Sequence, residues 1–475
     1  MSPSRTRSPI SGAAIAALVG VVGGLVILAL AASDSPFAAR FGGPRIDRSG
    51  RLSIQLNGVS ERMARDIFLP TEGWVMQLQF VDLSIAQDLE GLVVILRSER
   101  TGATIEIQDR FLLRTVDQGD FVNDPESASP KPPDQFASLT VPRDLGLAAG
   151  LLSVRAIFTD ASGKIFEDSR RIRIRSPLGL PPISVRQVIH FDFEIDHDGD
   201  GLPDFWKDLE RFGLASPEHP ELARLIAGQI ESRALLRVEA AYTAEHDPNR
   251  TGQAKDPVRV RFRATEDPSA LTSRICVGGS DPTKSQLVGH VRFDIRNEDK
   301  TSQDCAREPA AGLFPAEFET YRDSALYRET FGPLLAGSGG QAIGHHPDDS
   351  IESLSHLQDR DRGSEGLPRR QKKILRAIAI FGDALGSIMA HEAGHALGLV
   401  PEGRPSVGLF GGETGVDYAH NIDVFGASEP SPWLMNAGGS LDFEQLAGSG
   451  EAGPLRFRPL NYAYLRDRVI VTDKR

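Results

Sequence analysis

Two histidines four residues apart, His391 and His395, enclose Glu392 and are the residues of this chain best suited to chemistry. On an α-helix, residues at this spacing lie about one turn apart on the same face, so their imidazole nitrogens can reach a single ion. Neutral imidazole binds Zn²⁺, and Glu392 is close enough to hold a metal-bound water without being a ligand itself. The sequence therefore predicts a hydrolytic zinc site in which Glu392 is the general base.

The stretch that leads to these residues has the periodicity of a helix. Apolar side chains recur at three- and four-residue spacing, at Ile374, Ile378, Phe381, Leu385 and Ile388. The same stripe continues into His391 and His395, so we expect both histidines on the buried face. Gly382 and Gly386 should each weaken the helix by about 1 kcal/mol relative to Ala.

The residues after the second histidine narrow the class of the site. Gly398 follows His395, and Met435 lies farther along in the segment Ser-Pro-Trp-Leu-Met-Asn. The pair resembles the metzincin metallopeptidases, whose His-Glu-x-x-His-x-x-Gly-x-x-His helix is followed by a methionine turn beneath the metal. The resemblance implies a zinc endopeptidase with an α+β domain and a protein or peptide substrate. It gives Gly398 and Met435 structural roles.

The chain departs from that family at the third ligand position, where Pro401 stands. Proline cannot bind zinc, so a third ligand has to come from elsewhere. The glycine-rich stretch that follows contains one histidine, His420, which would restore a three-histidine site with an open fourth position. The competing carboxylates are Glu413, Asp417 and Asp423. A site without a third protein ligand is the remaining alternative.

A second motif lies at residues 196–204, a stretch rich in aspartate that we call the acidic loop. Its oxygen donors are Asp196, Asp198, Asp200, the carbonyl of Leu202, and Asp204. Donors at alternate positions around a glycine match a calcium loop, and the stretch resembles thrombospondin type 3 repeats and, less closely, the EF-hand. The twelfth EF-hand position is Lys207 here instead of Glu, so Asp208 or Asp192 would have to substitute. We expect Ca²⁺ to stiffen a junction at residues 190–208, an acidic linker being the alternative.

Length and charge limit the classes of protein to which the chain can belong. A chain of 475 residues with 40% hydrophobic and 25% charged residues is expected to form two or three globular domains. The formal net charge of −12 argues against a nucleic-acid partner.

The N-terminus predicts export. Arg5 and Arg7 precede an uncharged apolar run that ends near Ala32. About 20 apolar residues can span a bilayer, so residues 1–33 are an uncleaved signal anchor or a cleaved signal peptide. Both alternatives place the rest of the chain outside the cytoplasm, attached to the membrane or secreted. The two cysteines, Cys276 and Cys305, can then close one disulfide.

Short strand patterns separated by turns predict an immunoglobulin-like β-sandwich at residues 46–178, ending in a hairpin formed by 151–158 and 165–174. Residues 205–475 are expected to form the α+β catalytic domain, with helices near 205–212 and 222–236 and strands at 258–262 and 291–295. The polar stretch 335–372 is expected to be a surface insertion.

Together these features predict a multidomain, exported zinc endopeptidase. The alternative is a catalytically inactive adhesion or binding protein that retains a zinc-peptidase fold. Retention of Glu392 favours the enzyme, because a structural zinc ion needs no base. The sequence leaves the oligomeric state open.

Overall fold

A computed structural model gives the fold of the chain, which divides into two compact units, Met1–Ser49 and Gly50–Arg475. The first unit, with the predicted membrane segment, lies outside the described residues. The structure describes residues 50–56, 68–69, 73–83, 85–86, 88–115, 135–174, 188–244, 258, 260–266, 272–292, 311–355, 366–399, 433–436, 441–450, 453–457 and 459–468.

The first nine strands form two sheets. They are β1 (Arg51–Leu56), β2 (Phe68–Leu69), β3 (Val75–Val81), β4 (Leu92–Ser98), β5 (Thr104–Glu106), β6 (Leu112–Thr115), β7 (Gln135–Thr140), β8 (Gly150–Thr159) and β9 (Ile165–Ile174). One sheet has the order β1-β3-β7-β6 and the other has the order β2-β9-β8-β4-β5. Neighbouring strands are antiparallel except for β2 and β9. The predicted hairpin is confirmed, with Thr159 opposite Ile165.

Alternating apolar residues bring the two sheets together. In β8, Val154 and Phe158 are buried while Arg155 between them is exposed, as expected for a strand with one face on a core. The rings of Phe80 in β3 and Phe158 in β8 lie 5.4 Å apart, edge to face. The main-chain N–H of Ile54 in β1 donates to Asp168 in β9 at 2.7 Å, which is a second link between the sheets. The immunoglobulin-like class and its boundaries stay predictions.

The rest of the chain combines small sheets with helices. A parallel sheet of order β11-β10-β12 contains β10 (Val188–Asp192), β11 (Arg261–Arg263) and β12 (Thr272–Cys276). A two-stranded antiparallel sheet contains β13 (Gly289–His290) and β14 (Gly312–Leu313). The α-helices are α1 (Asp204–Arg211), α2 (Pro220–Thr243), α3 (Ala325–Phe331), α4 (Ile351–Ser355), α5 (Arg369–Ala396), α6 (Phe443–Leu446) and α7 (Pro459–Arg468). The strand predicted at 291–295 is wrong at Val291 and Arg292, which follow β13 without strand structure.

Helix α5 is the central element, and α2 packs directly against it. A Cβ on Gly386 would lie 2.6 Å from the carbonyl oxygen of Ala234, and one on Gly382 would lie 2.7 Å from Cγ of Arg233. The two glycines therefore permit a close approach of the helices, which outweighs their low helix propensity. A bidentate ion pair between Arg233 and Asp383, with both N–O distances 2.7 Å, lies beside this contact.

Among the described residues, α5 is the one helix long and apolar enough to cross a membrane. However, 72% of its most apolar window is buried inside the protein. We therefore interpret α5 as a core helix.

The described part of the polar stretch, residues 335–355, lies mostly at the surface, but two of its apolar side chains are buried. Ile343 and Leu354 are 1% and 0% exposed. The Arg370 guanidinium, in the first turn of α5, pairs with the buried carboxylate of Asp349 at 2.8 Å. The polar composition of this stretch gave no indication that Ile343 and Leu354 would be buried.

Candidate metal centre

The residues of the predicted zinc motif lie near the C-terminal end of α5, inside the protein. His391, Glu392 and His395 are 6%, 5% and 4% exposed. Every residue from Ala384 to Ala396 is buried, so this part of the helix contacts the protein on all sides. Buried polar side chains need hydrogen-bond partners. The partners of His391 and His395 determine which of their ring nitrogens can bind a metal ion.

His391 is oriented by the segment that contains Met435. Its Nδ1 lies 2.6 Å from the carbonyl oxygen of Leu434. A carbonyl only accepts, so Nδ1 is the protonated nitrogen and donates. The Leu434 N–H in turn donates to the carbonyl of Arg456 at 2.8 Å. The orientation of His391 is therefore set by a turn that is itself fixed at both backbone groups.

His395 is oriented by the end of its own helix. Gly398 has a φ of +87°, its N–H donates to the carbonyl of His395, and the N–H of Leu399 donates to that of Gly394. This is a Schellman motif, in which a left-handed glycine ends the helix. The reversal places the Leu399 carbonyl 3.1 Å from Nδ1 of His395. The predicted structural role of Gly398 thus has a physical basis.

The two histidines present their other nitrogens to each other. The Nε2 atoms of His391 and His395 lie 3.0 Å apart. With Nδ1 protonated, a neutral ring carries its lone pair on Nε2, and two such lone pairs repel unless a cation lies between them. A tetrahedral Zn²⁺ with Zn–N bonds of about 2.0–2.1 Å holds two nitrogens about 3.3 Å apart. These two residues therefore fit zinc.

Met435 lies against α5 between the two histidines. Its side chain is 0% exposed, and a Cβ on Gly394 would come within 2.7 Å of its Sδ. The methionine thus packs against the helix at Gly394, the residue directly before His395. The resemblance places the methionine turn beneath the metal, and that role of Met435 stays a prediction.

The carboxyl of Glu392 is enclosed by β13 and the residue that follows it. The Val291 N–H donates to this carboxyl, and a Cβ on Gly289 would lie 2.7 Å from Oε1. Oε2 is buried and has no hydrogen-bond partner among the described residues. Burial raises the pKa of Glu392 to about 8, and the Val291 N–H lowers it by less. A nearby cation would favour the ionised form.

Gly289 and Val291 are site residues that sequence reasoning missed. Gly289 lies in the two-residue strand β13 and Val291 directly follows it, far earlier in the chain, where the sequence predicted a strand only from residue 291. His290 lies between them, and strand alternation places it on the face opposite Gly289. It is therefore not directed at Glu392, although it is a histidine close to the motif.

The candidates for a third zinc ligand lie outside the part of the chain that the structure describes. His420 and its competitors Glu413, Asp417 and Asp423 fall in residues 400–432, outside the described residues, as does Pro401. The assignment of His420 stays a prediction. Cys276 is disulfide-bonded, and the chain's other cysteine, Cys305, also lies outside the described part.

The acidic loop brings its carboxylates together. Asp196, Asp198 and Asp204 each offer an oxygen, and these oxygens lie within 4.8 Å of one another. The Nζ of Lys207 lies among them, 2.7 Å from Asp198, 3.1 Å from Asp204 and 3.9 Å from Asp196. It is also 3.1 Å from Asp200. Leu202, the predicted carbonyl donor, is 38% exposed. The carboxylates fit a metal ion, but Lys207 competes for the same place, and the calcium prediction stays a prediction.

Other residues around the loop differ from expectation. The residue at the second position of such a calcium loop is expected to face away from the carboxylates, yet Nδ1 of His197 lies 2.6 Å from Asp204. Asp192, a suggested substitute at the twelfth position, pairs with Arg274 at 2.9 Å. Asp208, the other substitute, accepts the Gly279 N–H at 2.7 Å. Both carboxylates are thus engaged elsewhere, which the sequence did not reveal.

No family model and no curated protein matches the chain. Among solved structures, the chain is similar to CopC from Methylosinus trichosporium OB3b, with 15% identity over 26% of this chain and 93% of CopC, at a TM-score of 0.16. It is also similar to a family 123 glycoside hydrolase from Clostridium perfringens, with 9% identity over 38% of this chain and 36% of the hydrolase, at a TM-score of 0.17. Likenesses with TM-scores this low carry no argument about fold or activity.

Proposed function

We propose that this protein is an exported, zinc-dependent endopeptidase. The observation that carries the proposal is the pair of buried histidines on α5, whose Nε2 atoms lie 3.0 Å apart with both Nδ1 atoms directed at backbone carbonyls. Export rests on the apolar segment at residues 1–33, which attaches the protein to the membrane or is removed on secretion.

His391 and His395 would hold the ion, and His420 is our choice for a third ligand. The backbone carbonyls of Leu434 and Leu399 fix the tautomer of the two helix histidines and keep each ring in place. Hydrogen bonds of this kind raise the basicity of a ligating imidazole and stiffen its orientation. The chain thus supplies a preorganised pair of nitrogens, which is the part of a zinc site that must not move during a reaction.

Glu392 is the general base of the proposed reaction. Zinc, when bound, polarises a substrate carbonyl and makes water more acidic. The carboxylate of Glu392 accepts a proton from the attacking water and then donates it to the leaving amine of the peptide. The hydrogen bond from the Val291 N–H limits the positions that the Glu392 carboxylate can take. Burial of this carboxylate excludes competing solvent.

The choice of a peptide substrate rests on the resemblance to the metzincins. The motif from His391 to Gly398 is followed by Met435, and this methionine packs against Gly394 on the same helix. Other zinc hydrolases also use two histidines and a glutamate, but the methionine beneath the helix supports the peptidase. The inactive adhesion protein remains the competing hypothesis, because Pro401 replaces the family's third ligand.

The test measures zinc and proteolysis separately in the full-length chain. Native protein should retain zinc through dialysis and cleave casein. Glu392→Gln should retain zinc, yet cleave casein about 10²–10⁴-fold more slowly, because the amide cannot accept the proton. Glu329→Gln, at an exposed glutamate paired with Arg376, is the matched control and should behave as native protein.

Three results would contradict the proposal. Near-normal casein cleavage by Glu392→Gln would remove Glu392 from the mechanism. Stoichiometric zinc without any cleavage by native protein would favour the adhesion protein, and absence of zinc from native protein would reject the metal site altogether.

A further inference from the structure

Lys207 occupies the position in the acidic loop where a metal ion would lie. Its ammonium contacts four carboxylates, at 2.7 Å for Asp198, 3.1 Å for Asp200, 3.1 Å for Asp204 and 3.9 Å for Asp196. These are the side chains that the sequence assigns to a calcium ion. A single side chain therefore reaches all of the acidic donors at once.

Several other acceptor sites of the loop are also engaged without an ion. Asp196 accepts from the N–H groups of Gly199 and Gly201, each at 2.8 Å. Asp204 directs one oxygen at Lys207, and the other at the N–H and ring of His197. Asp204, at the ninth position of the loop, thus has a partner at each carboxylate oxygen. A metal ion would have to compete with these partners in order to bind.

The twelfth position decides between the ammonium and a calcium ion. An EF-hand loop places a bidentate Glu there, and this carboxylate contributes two of the ion's oxygen ligands. Here the position is Lys207, which removes those two oxygens and adds a positive charge in the same place. A calcium ion would have to displace a cation that is tethered to the loop, and its binding would be weakened accordingly.

We propose that Lys207 is the resident cation of the acidic loop and that the loop folds without calcium. In a calcium loop the ion neutralises carboxylates that would otherwise repel one another. The ammonium performs that role here, and its covalent tether makes it independent of the calcium concentration. The junction that leads into α1 is then stabilised at all times instead of responding to the ion.

The junction also contacts the residues next to it. Asp204 begins α1, and a Cβ on Gly278 would lie 2.6 Å from the main-chain nitrogen of Phe205. The Gly279 N–H donates to Asp208 in the same helix. The loop, the start of α1 and the turn after β12 are thus in direct contact, so loss of the Lys207 charge should destabilise them together.

The experiment compares melting temperatures of the full-length chain in zinc-replete buffer, free of calcium or with about 5 mM calcium, a concentration that saturates extracellular calcium modules. Native protein should melt at the same temperature in both buffers. Lys207→Met should melt several degrees lower than native protein without calcium. Lys372→Met is the matched control, since Lys372 is exposed in α5 and belongs to a different element from the loop, and it should melt as native protein does.

Lys207→Glu restores the twelfth ligand and should convert the loop into a calcium site. We expect its affinity for calcium, measured by titration calorimetry, to exceed that of native protein at least about a hundredfold, with a calcium-dependent rise in melting temperature. If this variant does not fold, the native and Lys207→Met measurements decide.

Three results would overturn the proposal. They are a calcium-dependent rise in the melting temperature of native protein, equal melting of Lys207→Met and Lys372→Met, and a folded Lys207→Glu that gains no calcium affinity. The first would restore the calcium loop, the second would deny the ammonium a stabilising role, and the third would mean that no ion position exists for Lys207 to fill.

Discussion

A Cβ on Gly394 would lie 2.7 Å from the sulfur of Met435, so helix α5 and the methionine segment touch between the two histidines. The neighbouring residue Leu434 supplies the carbonyl that orients His391. The contact between Gly394 and Met435 therefore couples the position of that carbonyl to the position of the helix. Changes at either residue should be felt at the metal site.

In Gly394→Ala the new methyl group overpacks a buried contact, which costs about 1–3 kcal/mol. The gain in helix propensity offsets about 1 kcal/mol of this cost, so we expect a net loss of stability of up to about 2 kcal/mol. Met435→Ala removes the clashing sulfur, so the double variant should be more stable than the sum of the single effects by about 0.5–3 kcal/mol. Urea unfolding of the four proteins measures this coupling, and strict additivity would contradict it.

Gly386→Ala and Gly228→Ala should have opposite effects on stability. A Cβ on Gly386 meets the Ala234 carbonyl oxygen at 2.6 Å, whereas one on Gly228 in α2 meets nothing within 4 Å. We expect a loss of about 1–3 kcal/mol for Gly386→Ala. Gly228→Ala should gain about 1 kcal/mol from helix propensity alone. Shifts of the same sign in the urea midpoints would show that α2 and α5 do not approach closely.

Gly289→Ala should reduce proteolysis while leaving zinc bound. The added Cβ would lie 2.7 Å from Oε1 of Glu392, so the carboxylate has to move. Misplacement of a catalytic group by about 1 Å can cost about 10²-fold in rate. The loss should appear in kcat for casein-derived peptides. Gly337→Ala, where a Cβ meets nothing within 4 Å, is the control. An unchanged kcat for Gly289→Ala would exclude β13 from the site.

His420→Ala should weaken zinc binding by about tenfold or more and remove activity, because it deletes the proposed third ligand. Competition with a chromophoric chelator measures the affinity. His345→Ala is the control, since His345 is an exposed histidine that contacts Ser216. If zinc affinity is unchanged in His420→Ala, the third ligand is one of the carboxylates, and Asp423 is the next to substitute.

Asp208→Asn should remove a pH dependence of stability. Burial raises the pKa of Asp208 from 3.8 to about 7, outweighing the opposing effect of the Gly279 N–H. As the pH rises through this interval the unfolded chain ionises first, so the free energy of unfolding falls until the folded carboxyl ionises near pH 7. The full shift corresponds to a loss on the order of 4 kcal/mol.

Urea unfolding of native protein and Asp208→Asn between about pH 5 and about pH 8 tests this sign. The difference in stability between the two proteins should move in favour of the variant as the pH rises. Asp323→Asn, at an exposed aspartate, should track native protein. A difference that is constant with pH would mean that Asp208 does not hold its proton in the folded state.

Local spacing was enough to predict that the two histidines meet on one helix. His391, Glu392 and His395 lie within five consecutive residues, and a helix converts that spacing into a shared face regardless of the rest of the fold. The same holds for the glycine at 398, because a left-handed residue after the last turn is a local way to end a helix. The acidic loop was also recognisable, since its donors alternate within nine residues.

Only the tertiary structure revealed what surrounds those residues. The carbonyl of Leu434 comes from 43 residues away, and Gly289 and Val291 lie in and directly after β13, where the sequence predicted a strand only from residue 291. From the sequence, Gly382 and Gly386 were expected only to weaken helix α5. The structure shows that they permit the close packing of α2. Lys207 read as a missing ligand, and its ammonium lies among the carboxylates. Sequence spacing specifies neighbours along one element, whereas contacts between elements depend on how the whole chain packs.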